Sequence, residues 1–155
     1  MKRHPDLRKF SRDHHMGLVH ARRLRETASG EQEGSAEDNV RAFLEFWREE
    51  TSVHFREEEE ILLPVAARHG VEAGQEPLST MLAQHAGIRG LVLTLGGELE
   101  HGSPEPRTML RLGEALEAHI RLEERKVFPY LESEMPEHAL SEVSERLEAS
   151  ESGGD

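Results

Sequence analysis

The sequence predicts an all-α fold, an up-down-up-down four-helix bundle followed by a short C-terminal helix. Glu, Leu, Arg and Ala dominate the 155 residues while aromatic residues make up only 5%, a composition that favours helices over sheets. Apolar residues recur at alternating steps of three and four along four long segments. Short polar or Gly/Pro-containing breaks separate these segments, so neighbouring helices run antiparallel.

Each helix has recognisable limits. Helix 1 ends at Ser29-Gly30, with Leu18 among the residues of its apolar side. Ser35 and Asp38 form an N-cap pattern for helix 2, in which Pro64 should kink or end the helix because proline lacks a backbone donor. The predicted helices are 5–28, 36 to 63 or 68, 78–100, 107–132 and 136–148. We expect one domain over residues 1–149 and a disordered tail over 150–155.

A motif occurs twice, about 65 residues apart. His54 and His119 are each followed by Glu at the fourth and fifth positions, then by two apolar residues and a Pro ten positions after the His. On a helix, positions i and i+4 share a face, so each copy aims an imidazole and a carboxylate at one point. Two such pairs facing each other predict a metal centre.

The phase of each copy strengthens this interpretation, since His-x-x-x-Glu spacing alone also occurs at His101 and His138. Only the two motif copies continue apolar stripes, which run Val40, Leu44, Trp47, Thr51, His54, Glu58, Ile61, Val65 and Met109, Leu112, Leu116, His119, Glu123, Val127, Tyr130. A carboxylate on such a face is costly unless it is paired or binds a metal. The alternative is two buried His–Glu hydrogen bonds without a metal.

The other two helices offer further imidazoles. His85 lies on the apolar stripe of helix 3, and we expect it to be a ligand rather than a core residue. Helix 1 has adjacent His14 and His15. Phase favours His14, because His15 points roughly 100° away. Local similarity favours His15, since His15-Met16-Gly17-Leu18 resembles His85-Ala86-Gly87-Ile88. We place His14 first as the direct ligand; the other either binds too or lies behind it.

Composition restricts the function classes. Without Cys there are no disulfides, iron–sulfur clusters or thiolate metal sites. The net charge of −12 argues against a nucleic-acid partner. No segment resembles a signal peptide or a membrane span, so we expect a cytoplasmic protein without membrane association.

His on helix 1, His-x-x-x-Glu on helix 2, His on helix 3 and His-x-x-x-Glu on helix 4 together resemble the hemerythrin-like HHE cation-binding domain over roughly residues 7–132. The resemblance implies two non-haem iron ions bridged by Glu58 and Glu123, with His54, His85, His119 and His14 or His15 as terminal ligands. Glu124 is the alternative to Glu123. Manganese or zinc also suits imidazole and carboxylate ligands. Oxygen-carrying hemerythrins have a second His one turn along helix 3, where this chain has Arg89.

This departure makes sensing, peroxide or nitric oxide chemistry, or iron handling more plausible than reversible oxygen carriage; storage is a further role open to such a protein. The leading hypothesis is a di-iron protein that binds O2 or a related small molecule such as peroxide or nitric oxide. A second is an enzyme that uses the same centre for redox chemistry on peroxide or nitric oxide. A third is a metal-free helical interaction protein, for which the His–Glu pairs would be incidental.

Overall fold

The structure, a computed structural model, describes residues 2–152 and contains five helices. They are α1 (Arg8–Ser29), α2 (residues 36–68), α3 (Leu78–Glu100), α4 (residues 106–134) and α5 (Glu137–Ser152). No strand occurs within these residues, and the predicted all-α bundle is confirmed. Each of α1 to α4 packs against two of the others, in the cyclic order α1, α2, α3, α4. None of the helices in the described range combines the length and apolar character needed to cross a membrane.

Local sequence signals set the helix ends. The 3-10 turn Pro5–Leu7 leads into α1, which ends at Gly30 with a φ of 80°, a left-handed conformation that favours glycine. The Ser35 hydroxyl accepts a hydrogen bond from the Asp38 backbone N–H at 3.1 Å, so the predicted N-cap of α2 is present. The last helix continues to Ser152, which places residues 150–152 of the expected tail in a helix. Residues 153–155 lie outside the described range.

Both long motif-bearing helices contain π turns, which the sequence interpretation did not anticipate. They span Trp47–Thr51 and Glu58–Leu62 in α2 and Glu123–Val127 in α4. Pro64 was expected to kink or end α2; it does not end the helix, which continues through it to Arg68, the longer of the two predicted limits. The physical reason is the preceding π turn, whose wider spacing relieves the clash of the proline ring with the preceding turn and leaves its missing donor unneeded. Pro129 follows the π turn of α4 in the same way.

The core consists of two apolar clusters with polar side chains between them. One cluster joins the start of α1, the later turns of α2 and α4, and α5, whose Leu140, Val143 and Leu147 are buried. The other lies at the opposite end of the bundle and includes Leu24, Phe43 and Leu112 among others. The final helix therefore covers one end of the bundle.

The seam between α1 and α4 is tight, and this corrects one assignment. A Cβ at Gly17 would lie 2.9 Å from Ile120 Cδ1, so the buried face of α1 uses a glycine where α4 approaches. That face runs through Phe10, His14, Gly17, Ala21 and Leu24. Leu18, predicted on the apolar side, follows Gly17 by one residue, lies about 100° round the helix and is 40% exposed.

Candidate metal centre

Six predicted side chains meet between the two apolar clusters, and all six are buried. They come from all four long helices: His14 from α1, His54 and Glu58 from α2, His85 from α3, and His119 and Glu123 from α4. They form two four-residue groups that share both carboxylates, and the donor atoms in each group lie within 4.8 Å of one another. We call the two groups the His14/His54 half and the His85/His119 half. His15 is not brought into either half, because its position on α1 turns it to the exposed side.

Glu58 lies between the halves and directs one oxygen to each. Its Oε2 is 3.2 Å from His54 Nε2, and its Oε1 is 3.1 Å from His85 Nε2. The i, i+4 spacing brings His54 and Glu58 together, as the motif predicted, and the contact with His85 crosses from α2 to α3.

Glu123 divides its oxygens in the same way. Its Oε1 is 2.7 Å from His14 Nε2 and 3.4 Å from His54 Nε2. Its Oε2 is 3.1 Å from His119 Nε2 and 3.8 Å from His85 Nε2. Each half therefore presents two imidazoles and one oxygen from each shared carboxylate.

Several of these buried atoms lack a hydrogen-bond partner. They are both carboxylate oxygens of Glu58, Oε2 of Glu123, and Nε2 of His85 and His119. The nitrogen–oxygen contacts of these five atoms lie outside hydrogen-bond geometry, whereas Glu123 Oε1 is hydrogen-bonded to His14 Nε2 and His54 Nε2. Unpaired buried polar atoms are rare and costly in native proteins. This set fits two cations, which would satisfy all of the unpaired atoms at once.

Each of the four clustered histidines forms a hydrogen bond through its Nδ1 atom, on the side of the ring away from the cluster. Asp13 on α1 accepts from His54 Nδ1 at 3.0 Å, and Glu59 on α2 accepts from His85 Nδ1. In the neutral ring this bond places the proton on Nδ1 and leaves the Nε2 lone pair directed at the cluster.

The other two histidines complete the same pattern. Gln84 on α3 accepts from His119 Nδ1 at 2.8 Å, and Glu124 on α4 accepts from His14 Nδ1 at 2.9 Å. Each helix thus supports the histidine of the next helix, in a ring around the bundle. We call these four side chains the outer acceptors.

The outer acceptors were missed by the sequence interpretation, apart from Glu124, which was named as an alternative ligand. The structure places the Glu124 carboxylate behind His14 and outside both groups. One signal was present in the sequence: each outer acceptor directly precedes or follows a cluster residue. It supports the histidine of a neighbouring helix, however, and sequence alone does not give that pairing.

Cations pair with the three acidic outer acceptors. Lys9 Nζ lies 3.1 Å from Asp13. Arg3 Nη2 lies 3.5 Å from Glu124, and Arg89 Nη1 lies 2.6 Å from Glu59. Arg89 therefore holds Glu59 in place. It occupies the position at which oxygen-carrying hemerythrins have a second histidine.

Aromatic rings pack on the imidazoles. Phe55 stacks on His85 with ring centroids 3.8 Å apart and an interplanar angle of 7°. Phe128 stacks on His14 at 5.6 Å and 11°. Together with the Nδ1 hydrogen bonds, these contacts restrict ring rotation and keep the Nε2 atoms converging.

Electrostatics favour charged forms in this buried cluster. Burial by itself would favour the neutral form of His85, but Glu123 and Glu58 raise its pKa to about 9. Burial is likewise outweighed at His54, whose pKa is raised well above 6.5 by Glu58, Asp13 and Glu123. The histidines, with His119 contributing most, hold the pKa of Glu123 well below its ordinary value despite burial. Protons thus stabilise the cluster where a cation would otherwise do so, and a metal must displace them.

A cavity of about 310 Å³ adjoins the cluster between α1, α2 and α4. Its lining includes His14, His54 and His119. Leu116 of α4 also lines the cavity. Apolar neighbours such as Phe55 and Ile120 complete much of the wall, so a small molecule can approach the cluster through a largely apolar space.

Comparison with protein families agrees with this geometry. A family model described as the hemerythrin HHE cation-binding domain matches residues 6–131. That stretch contains all six clustered side chains and all four outer acceptors. Neither a search of curated proteins nor a search of solved structures gives a match.

Proposed function

This chain belongs to the hemerythrin HHE cation-binding domain family, and from that premise we propose that it holds two iron ions and binds O2 or a related small molecule. One observation carries the proposal. Glu58 and Glu123 are fully buried, and in each of them one carboxylate oxygen faces the His14/His54 half and the other faces the His85/His119 half. A carboxylate in that position is suited to bridge two cations.

The donor chemistry supports iron. Each half offers two imidazoles, which bind a metal once they have lost their extra proton, and two carboxylate oxygens; the chain has no Cys to provide thiolate. Such ligand sets suit iron, and they accept manganese or zinc as well. We assign His14, His54, Glu58, His85, His119 and Glu123 as the ligands, a six-residue set.

The iron pair would supply redox chemistry and coordination positions left open by a small number of protein ligands. The protein's own residues do the rest. The Nδ1 hydrogen bonds orient the imidazoles, and the apolar wall of the adjoining cavity limits water while admitting a small molecule. Arg89 is engaged with Glu59, so α3 contributes one imidazole rather than two.

A metal-free interaction protein is the less favoured reading. Without a metal, five buried nitrogen and oxygen atoms of the cluster have no hydrogen-bond partner. Such atoms destabilise the folded state, and an interaction protein would gain no function from them.

The test is metal analysis of protein purified from iron-replete cells, together with its absorption spectrum under nitrogen and under air. We expect about two iron ions per chain and a visible spectrum that changes on exposure to O2. Glu123→Gln should lose most of the iron, while Glu60→Gln, an exposed position on α2, should keep it.

Several outcomes would contradict the proposal. Folded protein with less than one metal ion per chain would reject the metal centre. Stoichiometric zinc or manganese without any response to O2 would reject iron and oxygen binding and retain only a cation site. A spectral change that reverses on removal of O2 supports binding, whereas steady consumption of peroxide or nitric oxide would support an enzyme.

A further inference from the structure

The ring of outer acceptors is not uniform. Asp13, Glu59 and Glu124 offer carboxylates, whereas Gln84 offers a neutral amide oxygen to His119. Resting on the proposed function, we propose that the two halves bind metal with unequal affinity: the His14/His54 half loads first, and Gln84 weakens the other half.

The first step of the argument is the donor strength of each imidazole. A carboxylate that accepts from Nδ1 increases the electron density at Nε2 and strengthens its bond to a cation. A neutral amide orients the ring but contributes no charge. Both imidazoles of the His14/His54 half have a carboxylate behind them, while only His85 does in the other half.

The second step is the net charge behind each half, counted with the cations that contact the acceptors and the further carboxylates that share those cations. Lys9 is shared by two carboxylates, Asp13 and Glu57. Arg3 is likewise shared, between Glu124 and Glu132. Each of these two sets carries a net charge of −1, and both lie behind the His14/His54 half.

Behind the His85/His119 half, Arg89 pairs with Glu59 alone, so that set is neutral. The amide of Gln84 adds no charge. The surroundings of the His14/His54 half are therefore more negative, and they attract a divalent cation more strongly. Both observations point to the same half.

Gln84 is well placed for a test because it is only half-buried, and within residues 2–152 its side chain hydrogen-bonds to His119 alone. Glu has nearly the same shape as Gln, so Gln84→Glu changes the charge behind His119 while retaining the acceptor. Gln84→Ala removes the acceptor altogether.

The experiment is calorimetric titration of the metal-free protein with Co²⁺ at constant pH. We expect two steps that differ about 10- to 100-fold in affinity, the range typical for loss of such a supporting contact. Gln84→Glu should tighten the weaker step about tenfold and narrow the gap, and Gln84→Ala should weaken that step further. As a matched control, Asp13→Asn should weaken the tighter step instead, which assigns that step to His54.

A merely structural role for Gln84 predicts a different result, in which both variants alter the melting temperature and leave the ratio of the two affinities unchanged. That result would overturn the inference, as would two equal steps in the unaltered protein. Failure to bind cobalt in the cluster would overturn the proposed function as well. Two equal steps would leave the metal centre intact and remove only the inequality.

Discussion

Glu58→Gln is the substitution for which the structure gives the clearest quantitative expectation. Each Glu58 oxygen faces a different half, so the change weakens both cation sites at once. A cation at about 100 times its dissociation constant stabilises the folded state by about 2.7 kcal/mol. Two ions, each at that ratio or above it, would together contribute at least roughly 5 kcal/mol, equivalent to about 10 to 20 °C or more in melting temperature for a chain of this size.

The assay compares thermal unfolding of iron-loaded and chelated protein for each variant. The original protein should show the full difference, and Glu58→Gln should show little or none. Glu124→Gln is the graded control, because His14 is the one clustered histidine that Glu124 contacts. It should lose about 1 to 3 kcal/mol, the equivalent of a 10- to 100-fold weaker site. If Glu58→Gln kept the whole iron-dependent difference, Glu58 would not contact the ions and the bridging geometry would be wrong.

Three further predictions concern protonation of His85, the contribution of His14 and the packing of two glycines. Because the pKa of folded His85 is raised to about 9, its protonation stabilises the metal-free protein fully below about pH 6.5, and this stabilisation is lost as the pH rises through about 9. Thermal unfolding of chelated protein should show that loss, while titration shows iron binding tightening over the same window because fewer protons must be displaced. His14→Ala should lower the metal content measured by elemental analysis, and His15→Ala, the neighbouring exposed position, should leave it unchanged. Gly113→Ala should destabilise by about 1–3 kcal/mol in urea unfolding, since its Cβ would lie 2.8 Å from a carbonyl oxygen of α1; Gly87→Ala, with no atom within 4 Å, should stabilise by about 0.5–1 kcal/mol.

The inward-facing His and Glu residues of the cluster could be predicted from the sequence because helical spacing is a local property. His54 and Glu58 are one turn apart on any α-helix, and their place on an apolar stripe indicates burial. The same reasoning ranked His14 ahead of His15, and the structure brings only His14 into the cluster. Fold class and the six clustered residues therefore followed from periodicity and resemblance.

The outer acceptors of the clustered histidines could not be predicted in this way. Asp13 is one of 31 acidic residues, and nothing in its own helix indicates that it accepts from a histidine of α2. That contact depends on the rotation and offset of two helices, which periodicity does not fix. The exposed position of Leu18 was missed for a related reason. Gly17 lies on the buried face because α4 approaches closely there, and a search for apolar residues along the helix does not count a glycine.

The π turns that begin at Glu58 and Glu123 have a consequence for how the bundle tolerates change. One additional residue rotates everything beyond it by about 100°. In α2 and α4 the clustered His and Glu side chains thus point into the bundle, while the residues after the π turn present a different face to the apolar cluster beneath α5. The π turns therefore set the rotation of the two helix ends separately. Substitutions in the apolar cluster beneath α5 can change its packing while Glu58 and Glu123 keep their inward orientation.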